Sequence, residues 1–518
     1  MTKVVGLASR STPRTRVLVA IAAAVVGLSA CSSTATSTDS GAKPAAKPSV
    51  DVLRIAAADA TNTTGLDPRS VSAGASSIVA QHVFDSVVTL EGKEYKLKLA
   101  ESVEPNADAT MWTVKLRKGV QFHDGKPVRA ADVAFSLTTL AAPPSNRASV
   151  YADVDAAKIK VVDDSTLEVP LKRARADFKE SVLAVFSVVF PEGTTDFAKP
   201  IGSGPYKFET SDQRIVRLVA NEQYWGGKPA IPALEIDRIA SPAARLAALK
   251  DGQVDYAVGI SAAGAQTEKG NTGIKIQRGG VANSNALSFA MNQNLAPFND
   301  PKVRKAVRLA ADRPALVAQA LMGYGAPGED VVGKDLPGYN AKLTERKRDL
   351  EEARKLFREA GVTELTLRAA DVVPGMLPAA KLFAQQLEEA GVKLAVQEVP
   401  ADSYYSDLKG LATHPFQVFY YVNRPAALHL AAVTNEKAVF NVTGAGQAHW
   451  SRLAEAQVLV DPTARANAFD AIEQDFYDNG GDLVWGFQEQ LDATRAGVEG
   501  VRLSQSVQLF DQAKATKG

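Results

Sequence analysis

Cysteine is almost absent: Cys31 stands alone in 518 residues, so no intrachain disulfide can form. Histidine is scarce as well. The five, His82, His123, His414, His429 and His449, include no pair three or four residues apart, and no His-Glu-x-x-His occurs. No metal site and no cofactor is expected. A charge of one sign is lacking too. The formal net charge is +1, and the first 30 residues, with Lys3, Arg10, Arg14 and Arg16 and no acid, contribute +4 of it, leaving −3 for the rest. Such a body has no basic field for nucleic acid. Enzyme motifs are missing. Gly202-Ser203-Gly204-Pro205 lacks the spacing of a nucleophile elbow. Gly328 to Lys334 follows the Gly-x-x-x-x-Gly-Lys of a phosphate loop, but Asp335 stands where Ser or Thr should hold magnesium. Glu329 and Asp330 would repel phosphate, and Leu336-Pro337-Gly338 blocks the required helix, so the stretch reads as a surface loop. Nothing selects a carboxylate pair such as Asp124 and Asp132 from the 58 acidic residues, and no catalytic residue is assigned.

What is present begins at the N-terminus. A basic stretch ends at Arg16, an apolar run follows from Val17 to Leu28, and Ser29-Ala30 precede Cys31. These are the parts of a secretory signal, residues 1–30, and the apolar run is shorter than the about 20 residues of a membrane-spanning helix. Leu28-Ser29-Ala30-Cys31 resembles the bacterial lipobox, which implies that Cys31 is lipidated and becomes the mature N-terminus. Residues 31–50 are small, polar and broken by Pro44 and Pro48. They read as a flexible tether with a root-mean-square span of roughly 25 Å. The expected location is the outer face of the cytoplasmic membrane, held there by the lipid anchor.

At 518 residues the chain is too long for one core, so two or more lobes are expected. Val52 to Ala58 reads as an apolar strand, and Trp112 to Arg117 alternates as a half-buried strand does. Ala130 to Leu140 reads as a short helix. Asp300-Pro301 is an N-cap with proline at the first helical position. A charged helix is expected from Thr344 to Ala360, closed by Gly361. Glu364–Ala370 as strand, Leu377–Ala390 as helix and Val392–Val399 as strand make a βαβ unit. The fold class is α/β.

One stretch is more specific. Trp112-Thr-Val-Lys-Leu-Arg-Lys-Gly-Val-Gln-Phe-His-Asp-Gly-Lys-Pro-Val-Arg-Ala-Ala-Asp-Val-Ala-Phe-Ser136 closely resembles the signature of the family 5 extracellular solute-binding proteins, the oligopeptide, dipeptide and nickel receptors of ABC importers. Leu66-Asp67-Pro68, Ile201-Gly-Ser-Gly-Pro-Tyr-Lys-Phe208, Asn221-Glu-Gln-Tyr-Trp-Gly-Gly-Lys-Pro229, Gly252-Gln-Val-Asp255 and Phe298 to Arg313 continue the likeness in family order. We read the signature stretch as structural rather than as the ligand site. The resemblance implies a two-lobed periplasmic-binding-protein-like fold, type II, of the large cluster with an extra subdomain. Its lobes would be joined by two crossovers and would close on a ligand. Lobe I is expected at 51–286 plus 485–518 and lobe II at 287–484, with crossings at Ser288–Asn292 and Val484–Gln488. Implied partners are ABC permease and ATPase subunits and a small solute, for a monomer that does no chemistry.

Peptides are the first ligand class the resemblance implies. A non-peptide solute (an anionic or sugar-like compound, a metal chelate or haem) and a degenerate receptor with a signalling or chaperone role are the alternatives. Peptide receptors of the family tend to carry an aspartate in lobe II that pairs with the peptide ammonium. The corresponding Phe419-Tyr-Tyr-Val-Asn-Arg-Pro425 holds no acid, and a buried ammonium without a counter-charge is costly. Tyr420, Tyr421, Asn423 and Arg424 are the candidate lobe II contacts, as flat aromatics beside a forked donor. Thr61, Asn62 and Thr63 after the first strand are candidates from lobe I, and Trp485 lies at the second expected crossing.

Overall fold

The computed structural model describes residues 50–59, 65–70, 74–407, 410–434 and 438–516. The signal segment, Cys31, nearly all of the tether, and Thr61, Asn62 and Thr63 lie outside the described residues. No helix among the described residues is long and apolar enough to cross a membrane.

The opening apolar run, expected as a strand, is largely buried, as a central strand of a covered sheet must be. Val52–Ala57 lies inside a seven-stranded sheet, running parallel to Ala233–Arg238 and to Tyr256–Ala257. This sheet takes its other strands from Tyr206–Ser211, Ile215–Ala220, Ile274–Arg278 and Leu491–Arg495. A four-stranded antiparallel sheet, in the order Ala100–Pro105, Met111–Leu116, Thr166–Pro170, Lys160–Asp163, forms the extra subdomain beside it. A six-stranded sheet makes the second lobe. Its order is Gly325–Pro327, Asp482–Glu489, Ser284–Met291, Phe416–Val422, Glu364–Ala369, Lys393–Glu398. The cores divide the same way. One cluster runs from Ala286 to Phe487, while another is built from Leu53 to Val258 plus Val498 to Ala515.

The βαβ unit is present as Glu364–Ala369, Met376–Glu389 and Lys393–Glu398, with its strands parallel. The helix expected from Thr344 begins at Leu350 instead. Asp349 is its N-cap, accepting from the Glu352 amide at 3.0 Å, which fixes the start that charge patterning alone left open.

The signature residues are structural. Asp132 accepts the backbone amides of Arg129 and Glu192, each at 2.8 Å, and so caps the helix Ala130–Ala141. The His123 amide donates to the Gly202 carbonyl, and its Nε2 lies 3.0 Å from the Gly204 carbonyl oxygen. Burial pushes this imidazole down to about 4, so it is neutral at pH 7 and Nε2 is the donor. A Cβ on Gly202 would lie 2.0 Å from the Val83 oxygen, and one on Gly204 2.3 Å from that of His82. Both glycines are needed for this close approach. The buried Asp85 then gathers the rest of the motif, accepting from Ser203 Oγ (3.1 Å), Tyr224 OH (3.0 Å) and Trp225 Nε1 (2.8 Å).

Candidate functional site

The chain leaves the first lobe after Arg278 and enters the second at Ser284; it returns between Glu489 and Leu491. The expected crossings at Ser288–Asn292 and Val484–Gln488 fall almost wholly inside strands of the six-stranded sheet, so they move outward. A continuous apolar strand hides the point at which a chain changes lobes; the Gly279-Gly280 pair marks it, and Gly280 has φ +68°. The two crossings are bonded to each other. Gly279 N donates to Gln490 O at 2.8 Å and Gln490 N to Asn283 O at 3.0 Å. Arg278 forks onto Glu489 beside them, at 2.8 and 2.5 Å.

Strand Phe416–Val422 runs antiparallel to Ser284–Met291, with Val422 opposite Asn285. Its far end therefore lies next to the crossing, and residues 422–425 sit on the edge of the second lobe nearest the hinge. Asn423 is buried there and fully engaged. Its amide N–H donates to Ser284 O, its Nδ2 to Val281 O (2.7 Å) and Lys334 O (2.9 Å), and its Oδ1 accepts from Gly333 N (2.8 Å). It ties crossing, strand and neighbouring loop together and has nothing left for a ligand, which corrects its assignment as a contact.

Two further candidates are corrected on burial. Tyr421 faces inward, with its hydroxyl 3.3 Å from Asp482 Oδ1 and its ring edge-on to His429 at 4.8 Å. Trp485 is 1% exposed and stacks on Phe289 with centroids 6.0 Å apart. An apolar residue near a crossing reads alike as core or as cleft lining until the sheet is known. Tyr420 is half-buried against the edge of Tyr405 at 6.1 Å.

Arg424 differs from all of these. It is partly accessible, and its one protein hydrogen bond among the described residues runs from Nε to Val422 O at 3.2 Å. No acid among the described residues pairs with it. Desolvation lowers its pKa from the usual guanidinium value, with Tyr421 acting weakly the other way. Burial first, and this cation second, push His429 down to about 3. The acids of the neighbouring loop are all engaged elsewhere. Glu329 holds Lys334 at 2.7 Å and the Tyr339 hydroxyl, and Asp335 meets Lys93 of the first lobe at 3.1 Å.

Asp330 completes that loop, and it overturns the surface reading of residues 328–334. The segment from Gly328 to Gly333 is buried. Asp330 takes Arg313 at 2.6 Å and Arg346 at 2.8 Å, with Arg308 at 3.9 Å. Composition suggested a solvated turn because it could not reveal three arginines, from separate segments, meeting one carboxylate.

The fold and its hinge define a two-lobed periplasmic binding protein. The Listeria monocytogenes ABC transporter substrate-binding protein CtaP superposes with a TM-score of 0.80 at 20% identity, over 90% of this chain and all of that one. The Bacillus subtilis oligopeptide-binding protein AppA, in complex with a nonapeptide, gives 0.69 at 20% identity over 91% of this chain and all of that one. At these identities the likeness is one of fold. Residues 94–423 match the model of the bacterial extracellular solute-binding proteins, family 5. The glutathione-binding protein GsiB of Escherichia coli is 30% identical over 366 residues, 68% of this chain and 70% of that protein. The chain belongs to family 5 of the bacterial extracellular solute-binding proteins, the substrate-binding components of ABC importers.

Proposed function

We propose that this protein is a lipid-anchored, monomeric receptor that encloses a carboxylate-bearing peptide between its lobes and delivers it, chemically unchanged, to an ABC permease. Arg424 would be the charged contact of lobe II. The observation that carries the reading is a partly accessible guanidinium on the hinge-facing edge that no acid among the described residues pairs with, while the acids of the neighbouring loop are engaged. A charge-assisted bond to a carboxylate would satisfy it. The glutathione named for GsiB and the nonapeptide named for AppA are both peptides with free carboxylates, which favours this class over sugars or haem. Tyr420 and the loop Thr61–Thr63 remain proposed walls of the same cleft. Anchoring through Cys31 rests on the lipobox-like run before it.

Native mass spectrometry of the protein purified from its own host tests the ligand class. Peptide masses are expected; a single non-peptide compound would replace the reading. Cys31→Ser tests the anchor and should leave the protein unprocessed or shed. A mature, firmly membrane-bound Cys31→Ser protein would refute lipidation.

A further inference from the structure

Away from the crossings, one side chain of the second lobe is inserted into the first. Gln457 ends the helix Gln447–Gln457, whose Leu453 and Ala456 belong to the second core. Gln457 is nevertheless 1% exposed, because residues of the first lobe surround its polar end. Arg173 Nη2 donates to its Oε1 at 3.0 Å, and its Nε2 lies 3.4 Å from Asp177 Oδ2. The Ala176 amide donates to its backbone oxygen at 2.7 Å.

The receiving segment is itself held in place. Arg175 spans Asp153 (2.6 Å) and Asp177 (2.6 and 3.0 Å), and Ser181 Oγ donates to Asp177 at 2.7 Å. Trp112, the first residue of the signature stretch, donates from Nε1 to Arg175 O at 3.0 Å and packs on Phe178. Neither partner segment belongs to the crossings. The bonds between Gly279, Asn283 and Gln490 lie on the hinge itself. The Gln457 contact lies away from the hinge and joins the two lobes directly. Lys93 and Asp335 also bridge the lobes, but both are well exposed (67% and 48%), where screening leaves an ion pair little weight.

We propose that Gln457 is a positioning residue for lobe closure. Its contact with Arg173, Ala176 and Asp177 holds the lobes together through protein groups alone, so a closed population precedes the ligand and the ligand enlarges it. The inference concerns the lobes only and is independent of which solute is carried.

Pulsed electron paramagnetic resonance between spin labels at Glu104→Cys and Glu388→Cys, one exposed site in each lobe, reads the opening. The full chain carries Cys31→Ser and is freed of ligand by unfolding and refolding. Gln457→Met keeps the volume and removes the side-chain hydrogen bonds. It should lower the closed-to-open ratio by about tenfold without moving the melting temperature. Arg173→Ala should act alike, and the double variant should add little to either single one. If Gln457→Met folds poorly, Arg173→Ala carries the test alone, its side chain being 34% exposed. Unchanged distances in the variants would overturn the proposal, and so would full additivity in the double variant.

Discussion

Lobe II treats its charges in two opposite ways. In its interior one carboxylate, Asp330, meets three guanidinium groups, each of which also donates to backbone oxygens. Arg308 donates to Asp482 O at 3.0 Å, Arg313 to Arg308 O and Arg346 O, each at 3.2 Å, and Arg346 to Tyr477 O at 2.7 Å. Burial pushes Arg308 down to about 10, with Asp330 opposing, so it stays charged at pH 7. At the hinge-facing edge, Arg424 has a single carbonyl and no acid among the described residues. A cation enclosed by its own chain costs stability unless charges or hydrogen bonds offset its desolvation. Under the function proposed above, Arg424 takes its match from a bound carboxylate instead.

That contrast can be broken at its matched end. Asp330→Ala leaves three arginines without their acid and should destabilise the second lobe by about 3–5 kcal/mol. Urea unfolding followed by a probe in that lobe measures the loss; wild-type stability in this variant would erase the distinction. Arg424→Ala should do the reverse. Stability should move by less than about 1 kcal/mol, while calorimetry with glutathione or a tripeptide should show affinity falling tenfold or more, by about 1.5–3 kcal/mol.

A third residue falls between these cases. Glu473 is buried, accepts the Asn340 amide at 2.6 Å and has no cation among the described residues bonded to it. Desolvation raises its pKa from 4.5 to about 8. Between these values the folded state holds a proton that the unfolded state has released. Stability therefore falls as pH rises through that window. Glu473→Gln removes the ionisation and should be more stable than wild type by about 1–2 kcal/mol at pH 8. The gain should vanish near pH 5, and melting curves at the two pH values decide. The smallest effect concerns the ligand. Acetylating the amine of a bound peptide should cost less than about 1.4 kcal/mol, or tenfold, because no acid of the Phe419–Pro425 segment receives that amine. A hundredfold loss would reveal a carboxylate elsewhere that does.

Much of this fold is legible in the sequence, and the reasons are local. Gly361 and Asp300-Pro301 punctuate helices by backbone geometry, and alternation in Trp112 to Arg117 displays a half-buried strand. The family signature is legible as well, because His123, Gly202, Gly204 and Asp132 serve the backbone of one lobe within short stretches of sequence. What stays hidden depends on distant pairing. Trp485 reads as cleft or core until Phe289 is known to lie beneath it. Asn423 reads as a ligand contact until Val281, Gly333 and Lys334 are seen to occupy its amide. The loop 328–334 reads as solvated because its three arginines come from other segments. The want of an acid near Arg424 is only partly local: Phe419–Pro425 carries none, but that no acid among the described residues pairs with it takes the structure to see.

The crosswise bonds between the two crossings bear on how the molecule answers a ligand. Two segments bonded side by side at Gly279, Asn283 and Gln490 resist sliding and splaying, which leaves rotation of one lobe against the other as the soft coordinate. With one soft coordinate, capture reduces to one equilibrium between open and closed forms. The apparent dissociation constant is then the intrinsic one divided by the closed fraction. Substitutions that touch only this equilibrium should shift every solute's affinity by a common factor, whereas substitutions in the cleft wall should reorder the solutes. Affinity profiles across a panel of peptides would thus sort residues into those that set the angle and those that read the cargo.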